Sequence, residues 1–247
     1  MCTENSGHFD NPGLRHPQVP STAFLDATSD LIEARVTAAQ KAQGEQELRL
    51  DAYPQQQELW AAVDSHVARI QRDLDFIVED LHAHPELAFE EVRSQQVLAK
   101  VLKDHGHHVE LGVYGVSTAF ESSVQTPGFD ADKHPSIVIM AEYDALPEIG
   151  HACGHNIIAA SGVGAYLAAA KVLSSQAAEG IEGRIVLQGT PAEEGHTGKE
   201  YMIRGGSLEG IDAAVMIHGF GYDIASHAWV GRRSATVRFH GVAAHAS

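Results

Sequence analysis

The 247-residue chain is 44% hydrophobic, enough to build a core as one large domain or two small ones. Its 33 acidic and 17 basic residues leave a formal charge of -16, which disfavours nucleic acid and anionic membrane as main partners and favours small molecules or peptides. The only cysteines, Cys2 and Cys153, give no disulfide framework; with no run of about 18 apolar residues to span a bilayer and no apolar leader, a soluble globular protein of the reducing cytoplasm is expected.

Residues 1–55 are polar, with Pro12, Pro17, Pro20 and Pro54 scattered through weak apolar periodicity. A surface helix over 31–50 is conceivable, but Gly44 and the polar excess argue against its docking, so a flexible extension is expected. From Glu58 onward, Leu59, Val63, Val67, Ile70, Leu74, Ile77, Val78 and Leu81 recur at helical spacing and predict an amphipathic helix. Pro85 in HAHPELAFEE ends it, and Val92, Val97, Val101 and Leu102 predict a second helix over 90–105, stopped at Gly106. Short strands are expected at 108–113 and 117–122, then buried strands at 136–141, 183–189 (GRIVLQG) and 213–217 (AAVMI). Between them, the Ala-rich 156–173, with Ser161, Gly162 and Gly164, predicts a helix packed closely on a neighbour, and 199–204 a shorter one. Strands alternating with helices predict an α/β fold, a three-layer sandwich around a largely parallel sheet whose ligands gather beyond the carboxyl ends of the strands.

Each of the three buried strands runs out into ionisable groups. The first leads from an uninterrupted apolar run, Ile137-Val138-Ile139-Met140, into Glu142, Asp144, His151, Cys153 and His155. The second passes through Thr190-Pro191-Ala192 into Glu193-Glu194-Gly195, and the third ends at His218-Gly219. In a parallel sheet these groups converge at one edge, and thiol, imidazole and carboxylate together are what a borderline divalent cation takes. Adjacent glutamates point in different directions, so one can hold a metal while the other faces the attacking water as general base. The bland alternatives are a Cys and several His in an ordinary loop, and a Glu-Glu pair on a solvated turn.

HAHPELAFEE, AEYDALPEIGHACGHN, GTPAEEG and a strand-terminal MIHG together resemble the metal-dependent amidohydrolases and metallopeptidases related to aminoacylase and glutamate carboxypeptidase. The spelling is most similar to the branch of auxin-conjugate hydrolases, aminobenzoyl-glutamate hydrolase and β-alanyl or N-acyl dipeptidases, over residues 58–247. The resemblance implies a catalytic domain over 56–230 and, over 231–247, the first strand of a ferredoxin-like lid that makes a homodimer. It implies hydrolysis of an amide bond in a small dipeptide or N-acyl amino acid, with two divalent cations per complete site, Zn or Mn, with Co possible. Cys153 matches the thiolate bridging two metals, His155 and His218 the remaining ligands of the second, and Glu194 a ligand of the first. Glu193 matches the general base, Asp144 a group orienting a ligand imidazole, and His245 a lid histidine that stabilises the oxyanion. Glu142, where other branches keep a metal-binding His, is expected to be structural.

Against that pattern the sequence stops at Ser247, short of the rest of the lid and a last histidine ligand. A C-terminally truncated chain is therefore expected to bind one metal better than two, to hydrolyse amides poorly, and to expose a sheet edge that invites association. The competing readings are a catalytically dead metal-binding homologue acting as a binding or regulatory protein, and a purely structural zinc site. The latter seldom keeps a spare carboxylate such as Glu193. A serine hydrolase is disfavoured because no G-x-S-x-G turn follows any strand.

Overall fold

The computed structural model describes residues 23–50, 56–175, 178–221, 223–224, 237–242 and 245. The chain divides into two units, Asp51–Gly221 and Met1–Leu50 with Tyr222–Ser247. In the first, strands β1 (Glu110–Leu111), β2 (Phe120–Gln125), β3 (Ser136–Ala141), β4 (Arg184–Gly189) and β5 (Ala213–Val215) form one sheet in the order β1-β2-β4-β3-β5. The three strands expected to be buried and parallel are parallel, but the last is exposed and ends at Val215 rather than 217: β3 pairs with β4 from Ser136↔Arg184 to Ala141↔Gly189, and with β5 from Ile137↔Ala213 to Ile139↔Val215. β1 and β2 join antiparallel, so the sheet is mixed. The two early strands also differ from expectation, because Gly112, Tyr114 and Gly115 all have positive φ and Val113–Gly115 forms a 3-10 turn. That turn cuts the first strand to two residues and delays the second to Phe120.

Helix α2 (Gln56–Ala83) buries Ile70, Ile77 and Leu81 at helical spacing, ends before Pro85, and packs with α3 (Val92–Asp104) and α4 (His155–Leu173) against one face of the sheet. Leu98, Leu102, Leu167 and Leu187 are almost wholly enclosed in this core, and each such side chain contributes roughly 1.5–3 kcal/mol. Helix α4 sits close to β3 because Gly162 lacks a side chain: a Cβ there would lie 2.9 Å from Ala141 Cβ and 3.2 Å from the Met140 carbonyl. By length and mean hydropathy (1.4) α4 could cross a membrane, which a search for continuous apolar runs does not register; with 67% of that stretch buried inside the fold it is a core helix. On the opposite face Gln188 donates to the Ser207 carbonyl at 2.7 Å, so the turns that follow α5 (Gly198–Arg204) form the third layer.

In the second unit α1 spans Ala23–Leu50, longer than the conceivable 31–50 helix. Its Ala, Leu, Glu, Gln, Lys and Arg content outweighs the cost of about 1 kcal/mol for Gly44 within it. None of its described side chains is buried. Of the lid strand expected over 231–247, residues 231–236, 243–244 and 246–247 lie outside the described residues. Residues 237–242 are exposed and carry no strand, for no neighbouring strand among the described residues supplies hydrogen bonds to them.

Candidate metal centre

β3 is the point at which the strand order reverses: the chain leaves it for β4 on one side and then crosses back to β5 on the other. In open α/β sheets that is where ligands bind, beyond the carboxyl ends. The register makes the ends level. Ala141 pairs with Gly189, and the Ile139↔Val215 pairing, carried three residues further on both chains, sets His218 beside Glu142.

Alternation along the chain leaving β3 aims two carboxylates the same way. Tyr143 turns inward, fully buried, donating its hydroxyl to the Thr118 carbonyl at 2.6 Å and stacking on Phe120. Glu142 and Asp144 therefore face the other side, where α4 begins. His155 is the first residue of that helix and is fully buried. Its Nδ1 donates to the Asp144 carbonyl and to Asp144 Oδ1, each at 3.0 Å, which fixes the tautomer and leaves Nε2 facing Glu142, Glu193 and Glu194. Asp144 Oδ2 accepts from the Glu194 amide at 2.8 Å, so one carboxylate ties the β3 and β4 loops together.

Around His155 Nε2 stand Glu142 Oε2 at 3.4 Å and Glu193 Oε2 and Glu194 Oε1 at 3.9 Å each. Cys153 Sγ lies 3.6 Å from His218 Nε2, whose other ring nitrogen donates to the Gly219 carbonyl at 2.8 Å. Two donor triads result, Cys153/His155/His218 and His155/Glu193/Glu194, each with its donor atoms within 4.8 Å of one another. The structure thus brings together Asp144, Cys153, His155, Glu193, Glu194 and His218. His245 is exposed in the other unit, and His151 is buried but belongs to neither triad.

The donor set fits a divalent cation. Glu142 Oε2, His155 Nε2 and Glu194 Oε1 are buried without a hydrogen-bond partner, an arrangement that costs energy unless something positive sits among them. Among the described residues, Lys199 is the one lysine or arginine ion-paired with any of the four carboxyl groups of Glu142, Asp144, Glu193 and Glu194, and it pairs with Glu142. The proton equilibria show the same excess of negative charge. Burial raises the Cys153 thiol to about 11, helped by Glu194, Glu193 and Glu142. Burial also raises Glu193, with Glu142 adding to it and Lys199 opposing. For His155, burial works downward but the Asp144 hydrogen bond and the charges of Glu142, Asp144 and Glu194 outweigh it, so its pKa rises. For Asp144, burial works upward and is outweighed by His155 and the Glu194 amide, so its pKa falls.

Three residues escaped the sequence reading. Glu142, expected to be structural, is part of the charge around His155. Lys199, which neutralises it, sits in a segment legible only as a short helix. Glu91 is fully buried and accepts a hydrogen bond from the Ala192 amide; the acidic pair ending HAHPELAFEE was its one trace in the sequence.

The model for the family described as Peptidase family M20/M25/M40 matches residues 138–237. The chain is 36% identical over 167 residues to a Xaa-Arg dipeptidase of Mus musculus, covering 66% of this chain and 38% of that protein. It is 31% identical over 209 residues to a p-aminobenzoyl-glutamate hydrolase chain of Escherichia coli, covering 77% and 42%. Among solved structures, a Bacillus subtilis protein described as a dinuclear metal binding peptidase from the M20 family superposes with a TM-score of 0.50 at 26% identity, covering 61% of this chain and 42% of that one. The chain spans about two fifths of the length of the curated relatives it matches.

Proposed function

The chain belongs to peptidase family M20/M25/M40, and from that premise we propose that it carries the metal-binding part of a hydrolase acting on the amide bond of a small dipeptide or N-acyl amino acid. The observation that carries this reading is the meeting of Cys153, His155, His218, Glu193 and Glu194 from three separate strand ends, with buried donor atoms left open between them. The relatives named as a dipeptidase and an aminobenzoyl-glutamate hydrolase support the substrate class.

In this reading Cys153, His155 and His218 hold one cation, and Glu194 takes part in holding a second. A divalent cation held by these residues would supply Lewis acidity toward an amide carbonyl and toward water. Glu193 is the general base. Its side chain keeps 43% of its surface open, so it can take a proton from the attacking water and pass it to the departing amine nitrogen. Its raised pKa brings the carboxylate nearer the proton affinity such a shuttle needs. Asp144 holds His155 in register, and Lys199 restrains Glu142.

The test is Glu193→Gln. Hydrolysis of a panel of dipeptides and N-acyl amino acids should fall by about 10²- to 10⁴-fold while bound metal, read by elemental analysis, stays at the wild-type level. A variant that loses metal instead would assign Glu193 as a ligand and overturn its role as base.

A further inference from the structure

We propose that Glu91 is a positioning residue for the Glu193–Glu194 pair, acting through the backbone amide of Ala192; the inference rests on the metallohydrolase reading above. Glu91 caps the start of α3, has no exposed surface, and uses Oε1 to accept from the Ala192 N–H at 2.8 Å. A buried position that only needed filling would hold an apolar side chain, since a carboxyl group loses its hydration there. Thr118 and the backbone of Phe89 and Glu91 also face this carboxyl, and across the loop it engages the amide directly before the two site glutamates.

Ala192 has a φ of 60°, in the left-handed region that a residue with a Cβ avoids, and it too is fully buried. Its backbone is gripped at both ends. The N–H is held by Glu91, and the carbonyl accepts from the Gly198 amide at 2.8 Å. Gly198 must be glycine for that grip, because a Cβ there would lie 1.9 Å from the Pro191 carbonyl oxygen. If Ala192 relaxed to a right-handed or extended conformation, every following bond would swing. The side chains of Glu193 and Glu194 would then leave His155 Nε2, to which each now offers an oxygen at 3.9 Å. Strain at Ala192 is thus stored in a buried loop and held there by α3, an element outside the site.

The experiment titrates Co2+ into wild-type chain, Glu91→Gln, Glu91→Met, and Glu91→Met with Ala192→Gly, following the thiolate charge-transfer and ligand-field bands. Glu91→Gln keeps an acceptor and should bind within about threefold of wild type. Glu91→Met keeps the volume, loses the acceptor, and should bind the second Co2+, the one Glu194 takes part in holding, at least about tenfold more weakly with altered ligand-field bands. Adding Ala192→Gly should recover part of that loss, because glycine takes positive φ without penalty. A Glu91→Met chain that melts earlier without metal but binds Co2+ with unchanged affinity and spectrum would make Glu91 merely structural and overturn the inference alone. Wild-type chain that shows no thiolate band would bring down the hydrolase reading, and this inference with it. Should Glu91→Met not fold, NMR of the metal-free wild-type chain decides: left-handed coupling and shifts at Ala192 are expected before any metal is added, and a right-handed or extended Ala192 that turns only on loading overturns the proposal.

Discussion

At Cys153 the state of a proton would decide the uptake of a metal. With the thiol raised to about 11, the metal-free site holds a protonated sulfur at neutral pH, and a cation must displace that proton. Affinity for Zn2+ or Co2+ should therefore rise about tenfold per pH unit where His155 is already neutral and Cys153 still protonated, and more steeply at lower pH, where protonated His155 must also give up its proton. Competition with a metal indicator across that range measures the slope; a flat profile would remove Cys153 from the ligand set. His155 reverses the sign for the metal-free fold. Its raised pKa stabilises that state at low pH, and the contribution is lost as pH climbs through the raised value. Asp144→Ala releases the ring of His155 and the Glu194 amide together, and should weaken metal binding by about 10- to 100-fold, read by isothermal titration. The residues that meet at the strand ends were legible because chemistry restricts which side chains could serve as ligands. Lys199 and Glu91 were not, because a lysine beside a glutamate or a buried acid under a loop depends on contacts between residues 57 and 101 positions apart.

At the level of elements, the site is set by where three parallel strands stop. The strand from Ser136 to Ala141 was legible to the residue, because its apolar run is continuous. The two antiparallel strands before it were misplaced, since their ends are set by a turn with three positive φ values rather than by hydrophobic pattern. Helix α4 brings His155 to the strand ends only because Gly162 lets it settle on β3. Gly162→Val would drive a branched side chain into Ala141 and should cost at least about 1–3 kcal/mol, measured as a shift of the urea midpoint. It should weaken metal binding as well, because His155 would lift with the helix.

On the scale of the molecule, a largely buried cluster of four carboxyl groups and one thiol should make the fold depend on a bound cation. Chelation with EDTA should lower the melting temperature, as loss of a ligand present at about 100 times its dissociation constant removes about 2.7 kcal/mol. Hydrogen exchange should quicken more at Ala214 and Val215 than at Val138 and Val186. The reason lies in β5, which pairs over three residues with β3 alone among the described residues and whose side chains are exposed. Cys153 and His155 flank a single glycine at the mouth of a buried helix and form a ready claw. His218 arrives on that ribbon. A cation held by these three side chains should therefore be captured in two acts, the claw first and the ribbon after, and its residence time should follow how often the three paired residues of β5 peel away from their neighbour.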